Sequence, residues 1–346
     1  MDRLKVVVLF GGCSEEHDIS VKSAKEIIAC MDTDKYDVYP IYISKTGEWT
    51  LRKQAEYAAD ASERAQAVIS PDKSAHGILV SGKDGCGKIY IDAVFPAMHG
   101  RMGEDGRIQG LLEMSGIPYV GCGVESSVLA MDKSLAYLVA RNAGVATPEF
   151  CVLHDRCAAE AARFAYPVFV KPARSGSSFG VSKVGGAAEL DAAVELARRY
   201  DRKVLIEEAV SGYEVGCAIM GNGEDLLVGE VDRILLSDGF FRIHQEAHPD
   251  EGSENATVTV PADIPKETGE RVKGIAKRLY RALGCGGLAR VDLFLRENGD
   301  IVLNEVNTMP GCTSYSRYPK MMAAAGISMS DWIDRVIALA IARRLA

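Results

Sequence analysis

Residues 287–308 read GLARVDLFLRENGDIVLNEVNT. Alternating apolar runs flank Asn298-Gly299, which predicts a β-hairpin, because a two-residue type I′ turn needs positive φ twice and Asn-Gly tolerates both. With those two residues as the turn, pairing follows a constant sum. Glu297 then faces Asp300, Asp292 faces Glu305 and Arg290 faces Asn307. Strand side chains alternate, so residues 290, 292, 305 and 307 share one face. Directly opposed Cβ atoms lie about 5 Å apart, where like charges repel. Two carboxylates so placed demand a cation. With an asparagine beside them they offer only oxygen ligands, which suit Mg²⁺ shared with substrate phosphates. Arg290 adds a planar fork of donors. An exposed strand face with ordinary charges would use the same residue types, but register, amide and arginine together point to the metal.

The rest of the chain sets limits on that reading. At 346 residues it is too long for one typical core, so two or three domains are expected. Lys+Arg 40 against Asp+Glu 48 leaves a net charge of −8 and no basic run, which argues against nucleic acid and anionic membranes as partners. No apolar run approaches the roughly 18 residues of a membrane span, and the opening MDRLKVVVLFGG reads as a buried strand, not a secretion signal. Nine cysteines without a C-x-x-C pair fit free thiols in a reducing cytoplasm.

Strands are expected at 5–10, 38–43, 93–97, 168–171 and 204–207. Helices are expected at 19–31, 107–114, 126–142, 188–200, 266–283 and from 331 onward. The alternation predicts an α/β protein with a parallel N-terminal sheet, and α+β character toward the C-terminus. Three domains follow: 1–121, 122–211 and 212–346, the last with a long polar loop over 236–256.

Several segments carry chemistry. VKPARSGSSFG (170–180) delivers Lys171 at a strand end, ahead of a small loop containing Ser177 and Ser178. Such loops cradle phosphate oxygens, although a surface loop without a ligand has the same composition. GKDGCGKI (82–89) resembles a phosphate loop but ends in Ile and precedes a strand, so it reads as a hairpin turn. VLIEEAVSGYE (204–214) offers a strand edge for a purine and carboxylates for hydroxyls or an amine. FGGCSEEHDIS (10–20) opens a strand into a helix, where Glu15 or Glu16 suits an ammonium. His99 and Arg101, in MHGRMGEDGRIQG, suit a carboxylate; a lone histidine is otherwise a satisfied structural one.

In order and spacing, GGCSEEHDIS, HGRMGEDGRIQG, MDKSLAY, VKPARSGSSFG, IEEAVSGYE, GLARVDLF and NEVNTMPGCTSYSRYP resemble the ATP-grasp D-alanine–D-alanine ligase family. The likeness covers nearly the whole chain except 52–88. It is closest to the D-alanine–D-lactate ligases of vancomycin resistance, because His244 stands where ordinary members carry tyrosine. The resemblance implies an ATP-grasp fold. It gives ATP and two Mg²⁺ ions, with Mn²⁺ substituting, as cofactors; D-alanine and D-lactate as substrates; and a homodimer. Asp292, Glu305 and Asn307 would hold the metal. Lys133, Lys171 and Ser178 would face the ATP phosphates, Glu207, Ala209 and Val210 the adenine, and Glu214 the ribose. Ala209-Val210 replaces the bulkier pair of ordinary members. Glu16 would grip the ammonium of the first D-alanine, His99 would lie near its carboxylate, and Ser177 would link Glu16 to the lid. Arg290 and the Gly311 amide would stabilise an oxyanion, and Tyr315, Ser316 and Arg317 would receive the second substrate. D-Alanine and D-serine are the other acceptors such a ligase could take.

Overall fold

The computed structural model describes residues 2–52, 65–83, 85–153, 164–237, 239 and 255–343. The first apolar run forms β1 (Leu4–Gly11), buried from Val6 onward. It leads into α1 (His17–Cys30) and β2 (Tyr36–Ile43). The same sheet holds β3 (Trp49–Leu51), β4 (Ala65–Ile69), β5 (Gly77–Gly82), β6 (Gly85–Tyr90) and β7 (Ala93–Pro96), in the order β6-β5-β4-β3-β2-β1-β7. β1 is parallel to both β2 and β7, as expected. Beyond β2 the sheet continues antiparallel, so it is mixed. Connections of a few residues, like those joining β2 to β3 and β4 to β6, cannot make the crossover that parallel strands need. The segment over 82–89 is indeed a hairpin, ending β5 and building β6. α2 (Arg107–Ser115) follows this sheet.

One helix was expected over 126–142; there are two, α3 (Val124–Met131) and α4 (Lys133–Asn142). The break is at Asp132, whose carboxylate accepts from the amides of Ser134 (3.2 Å) and Leu135 (3.3 Å) and pairs with Lys203 Nζ at 2.8 Å. An aspartate that can cap a new helix competes with continuing the old one. The Lys133 amide then bonds to the Ala173 carbonyl at 3.0 Å, tying the start of α4 to the end of the next sheet. That sheet is antiparallel, ordered β10-β9-β11-β8, from β8 (Phe150–Leu153), β9 (Val168–Pro172), β10 (Ser182–Val184) and β11 (Val204–Glu208). α5 (Leu190–Arg198) packs on it through Leu190, Val194 and Ala197.

The third sheet runs β15-β14-β12-β16-β17, with β13 also on β12. Its strands are β12 (Tyr213–Asn222), β13 (Asp225–Val228), β14 (Asp232–Leu236), β15 (Ala256–Thr259), β16 (Gly287–Leu295) and β17 (Ile301–Asn307). α6 (Lys266–Ala282) buries Val272, Ala276 and Leu279 against β12 and β16. α7 (Arg317–Ala324) and α8 (Met329–Ala342) follow, the latter opened by a Ser328–Asp331 capping box. Trp332 of α8 is fully buried, edge-on to Phe95 of β7 and Tyr318 of α7. One core therefore runs from the first sheet into the last two helices. Among the described residues no helix is long and apolar enough to cross a membrane.

Removing the carboxylate that breaks the helix tests this account. Asp132→Ala should cost about 1–2 kcal/mol in urea unfolding. An unchanged urea midpoint would show that the break does not depend on this side chain.

Candidate active site

The hairpin sets Arg290 opposite Asn307 and Asp292 opposite Glu305, the expected register, but by a different route. The turn is not the two-residue Asn298-Gly299 type. The Arg296 amide bonds to the Asp300 carbonyl at 2.9 Å, which makes residues 297–299 the loop, with only Gly299 left-handed (φ +85). A three-residue loop lowers the pairing sum by one, so Leu295 faces Ile301 and Leu293 faces Leu303. Continued, that register would place Asn304 opposite Asp292 and turn Glu305 to the other face. The ladder instead shifts between Asp292 and Leu293, and Asn304 is the extra residue. This bulge brings Glu305 back to the face of Asp292.

Both carboxylates are balanced by cations. Arg290 forks onto Asp292 (Nε–Oδ1 2.8 Å, Nη2–Oδ2 2.7 Å), and Arg317 lies 3.3 Å from Asp292 Oδ1. Asn307 donates its amide to Asp292 at 2.9 Å, which leaves its oxygen as the atom for an ion. Lys133 Nζ lies 3.3 Å from Glu305. Among the described residues no three His, Cys, Asp or Glu side chains gather into a ready-made metal site. An all-oxygen set of two carboxylates and one amide nevertheless fits Mg²⁺, which keeps several waters and completes its shell with phosphate oxygens.

Behind the hairpin, Lys171 ends up buried on β9 and pairs with Glu207 of β11 at 2.5 Å. Tyr137, one helical turn after Lys133, joins the two elements. Its hydroxyl lies 3.0 Å from Glu207 Oε2 and 3.1 Å from the Asn304 carbonyl, and accepts from Lys171 at 3.3 Å. Burial and the adjacent Glu207 push the phenol well above its usual range, so it stays a donor. No role was expected for Tyr137; its i+4 spacing from Lys133 was the available signal. Lys133 Nζ also bonds to the Ser175 carbonyl at 2.9 Å, at the mouth of the small loop. In that loop Ser177 and Ser178 are both left-handed (φ +48 and +58), a conformation unfavourable for residues with a Cβ and found where backbone is shaped for a task. Ala209 and Val210 are half-buried just past β11, after Glu208, which Arg296 holds at 2.8 Å.

Ser177 donates to Glu16, so the loop reaches the start of α1. Glu16 sits against two glycines. A Cβ on Gly100 would lie 2.3 Å from Glu16 Oε2, and one on Gly176 3.1 Å from it. Burial raises the Glu16 carboxyl, the Ser177 bond opposes that, and Glu305 raises it further. Glu104, not anticipated, accepts from the amides of Gly100 and Met309, both at 2.9 Å, and burial with Glu16 nearby pushes it up to about 8. Three mutually repelling carboxylates make a place for an ammonium. Both ring nitrogens of His99, expected near a substrate carboxylate, are engaged within the protein. It is buried, with Nδ1 donating to the Met309 carbonyl (2.9 Å) and Nε2 accepting from Ser23 (2.8 Å). Burial pulls it down to about 4, so it is a neutral strut between α1 and the segment after β17. Arg101 is exposed.

Beyond β17, Gly311 packs against Ser316: a Cβ there would come within 2.9 Å of Ser316 Oγ, which bonds to Thr313 Oγ1 at 2.5 Å. Ser316 is the N-cap residue of α7, and Tyr315 beside it is half-buried. The Arg317 guanidinium is not a free clamp for an incoming carboxylate. It is buried and committed to Asp232 and Glu214. Arg317 also carries a backbone amide in the first turn of α7, where an anion is favoured. Glu214, expected at the ribose, carries that arginine, and burial pushes it up to about 7. His244 and nearly all of the 236–256 loop lie outside the described residues.

Residues 5–122 match the model of the D-ala D-ala ligase N-terminus, and residues 139–338 that of the D-ala D-ala ligase C-terminus. The vancomycin B-type resistance protein VanB of Enterococcus faecalis is 59% identical over 345 residues, covering 99% of this chain and 100% of its own. The vancomycin/teicoplanin A-type resistance protein VanA of Enterococcus faecium is 58% identical over 341 residues, covering 99% of each. The crystal structure of the VanG D-Ala:D-Ser ligase from Enterococcus faecalis superposes with a TM-score of 0.88 at 41% identity, covering 98% of this chain and 99% of that one. With both halves matched by the family's models and relatives 58–59% identical over nearly the whole length, the chain belongs to the D-alanine–D-alanine ligase family.

Proposed function

We propose that the chain is an ATP-dependent ligase joining D-alanine to D-lactate through D-alanyl phosphate, giving the depsipeptide used in vancomycin-resistant peptidoglycan precursors. The observation that carries the acceptor assignment is the full-length identity of 59% and 58% to two vancomycin-resistance proteins, against 41% to a ligase whose acceptor is D-serine. The Ser177–Glu16 contact supports the chemistry, because it puts the small loop on top of the carboxylate expected to hold D-alanine.

In this reading Glu16 takes the donor's ammonium, with Glu104 behind it holding the Gly100 and Met309 amides. Lys133, Lys171 and the 176–180 loop orient the phosphates of ATP, and Glu207, Ala209 and Val210 receive its adenine. Glu214 would exchange part of its bond to Arg317 for ribose hydroxyls. Two Mg²⁺ ions, or Mn²⁺ in their place, held by Asp292, Glu305 and Asn307, would neutralise the phosphate oxygens. A carboxylate oxygen of D-alanine attacks the γ-phosphorus, and ADP leaves. The D-lactate hydroxyl then attacks the acyl phosphate carbonyl, and phosphate leaves. Arg290, held rigid by its fork to Asp292, and the Gly311 amide face the oxyanion formed in between. Ser316 and the Arg317 amide take the acceptor's carboxylate. The 236–256 segment serves as the lid that keeps water from the acyl phosphate. A reducing cytoplasm suits the cysteines, since the eight described are all free thiols. The family likeness further supports a homodimer; sedimentation equilibrium checks it, and a monomer at assay concentration would refute it.

His244 would set the acceptor. A D-alanine acceptor brings an ammonium, and D-lactate a neutral hydroxyl. A protonated imidazole ~4 Å away would oppose the ammonium by up to about 4 kcal/mol at an effective dielectric near 20. Half of that exceeds a tenfold preference. Histidine loses its charge near pH 6.5, so the repulsion is present below that pH and lost above it. Product analysis with mixed D-alanine and D-lactate should therefore give depsipeptide at about pH 6 and rising D-Ala–D-Ala toward pH 9. A ratio that stays flat across this range rules out the charge mechanism, and dipeptide alone throughout rules out the acceptor. His244→Tyr should move the product toward D-Ala–D-Ala at every pH; the variant still preferring D-lactate in competition would refute the assignment.

A further inference from the structure

Gly216 is a small residue in the middle of a crowded strand. On β12 it pairs with Asp232 of β14 on one side and Asp292 of β16 on the other. A Cβ at this position would lie 2.3 Å from Arg317 Nη2 and 2.6 Å from Asp232 Oδ1. The glycine thus opens a slot in the sheet face, and the guanidinium of Arg317 fills it. Three neighbouring strands present a carboxylate around that slot: Asp232, Glu214 and Asp292. Asp232 is fully buried and meets Arg317 as a fork, Nε to Oδ2 at 2.6 Å and Nη2 to Oδ1 at 2.8 Å. Two parallel bonds to a planar group fix its rotation as well as its place. Arg317 is also the first residue of α7, directly after Ser316. Whatever holds its side chain therefore holds the first turn of that helix.

We propose that Asp232 is a positioning residue for the second substrate. Its fork to Arg317, over the gap left by Gly216, sets the first turn of α7, and with it the Ser316 hydroxyl and the Arg317 amide that take the acceptor's carboxylate. The inference rests on the reading above that the acceptor's carboxylate sits at that turn. Asp232 itself touches neither substrate nor reacting atoms, so its effect should be confined to the acceptor half of the reaction.

The two halves can be read separately in the full-length enzyme with MgATP. Hydroxylamine traps D-alanyl phosphate as a hydroxamate and reports the donor step, while depsipeptide synthesis reports the acceptor step. Asp232→Asn keeps the size and removes the charge. It should raise the KM for D-lactate about tenfold or more, with hydroxamate formation and kcat within about twofold of the parent. Ser316→Ala should raise the same KM. A D-lactate KM raised in Ser316→Ala but unchanged in Asp232→Asn overturns the positioning role and leaves the acceptor site standing. A KM unchanged in both overturns the acceptor site and the inference with it. Hydroxamate formation falling in step with depsipeptide would show that Asp232 serves the Asp292 face, and would also overturn the inference. Should Asp232→Asn fail to fold, Asp232→Glu keeps the charge and shifts the fork by one methylene, and the same split is expected.

Discussion

Two carboxylates face each other across β16 and β17, and the surrounding structure is organised by the need to neutralise them. Asp292 is almost wholly buried, and Glu305 is its direct cross-strand partner. Like charges so placed, and a carboxylate removed from water, are both unfavourable without a counter-charge. The cations that answer them come from three separate parts of the chain: Arg290 from the hairpin itself, Arg317 from α7 and Lys133 from α4. Each of these anchors one wall of the site, so neutralising the pair also assembles the pocket around it.

The same cations reach outward. Lys133 also holds the Ser175 carbonyl, and the loop that follows touches Glu16 through Ser177. Arg317 ties Asp292 to Asp232 and Glu214. Tyr137 ties the Lys171–Glu207 pair to the bulged Asn304 beside Glu305. Cations of the protein thus occupy places that a metal ion and phosphates would compete for in the proposed reaction. Substrate binding would then be an exchange of partners among groups already oriented, in place of the desolvation of free charges.

Much of this was legible in the chain. Apolar periodicity located β1, α1, β2, β7 and α6 to within a few residues, because a face that must be buried imposes its spacing on the sequence. Asp292 and Glu305 were placed opposite each other by alternation about a turn signal. That result involved two compensating departures: a loop of three residues, and a bulge at Asn304 that restores the register. The single helix expected over 126–142 failed for a related reason. Asp132 can cap a helix as readily as sit within one, and only the arrival of Lys203, 71 residues later, holds it as a cap.

Local patterns, then, determined element types, the oxygen-rich face and the ordered motifs, because propensity, alternation and turn chemistry act over a few residues. Which charges meet was decided by the tertiary structure alone. Arg317 looked available for a substrate, yet it is held by Asp232 and Glu214, more than 80 residues away. His99 suited a carboxylate or a purely structural place, and burial with bonds to Ser23 and Met309 leaves it neutral. Charge and hydrogen-bonding capacity are intrinsic to a residue, but the partner that satisfies them, and the dielectric in which they act, exist only after distant segments have packed together.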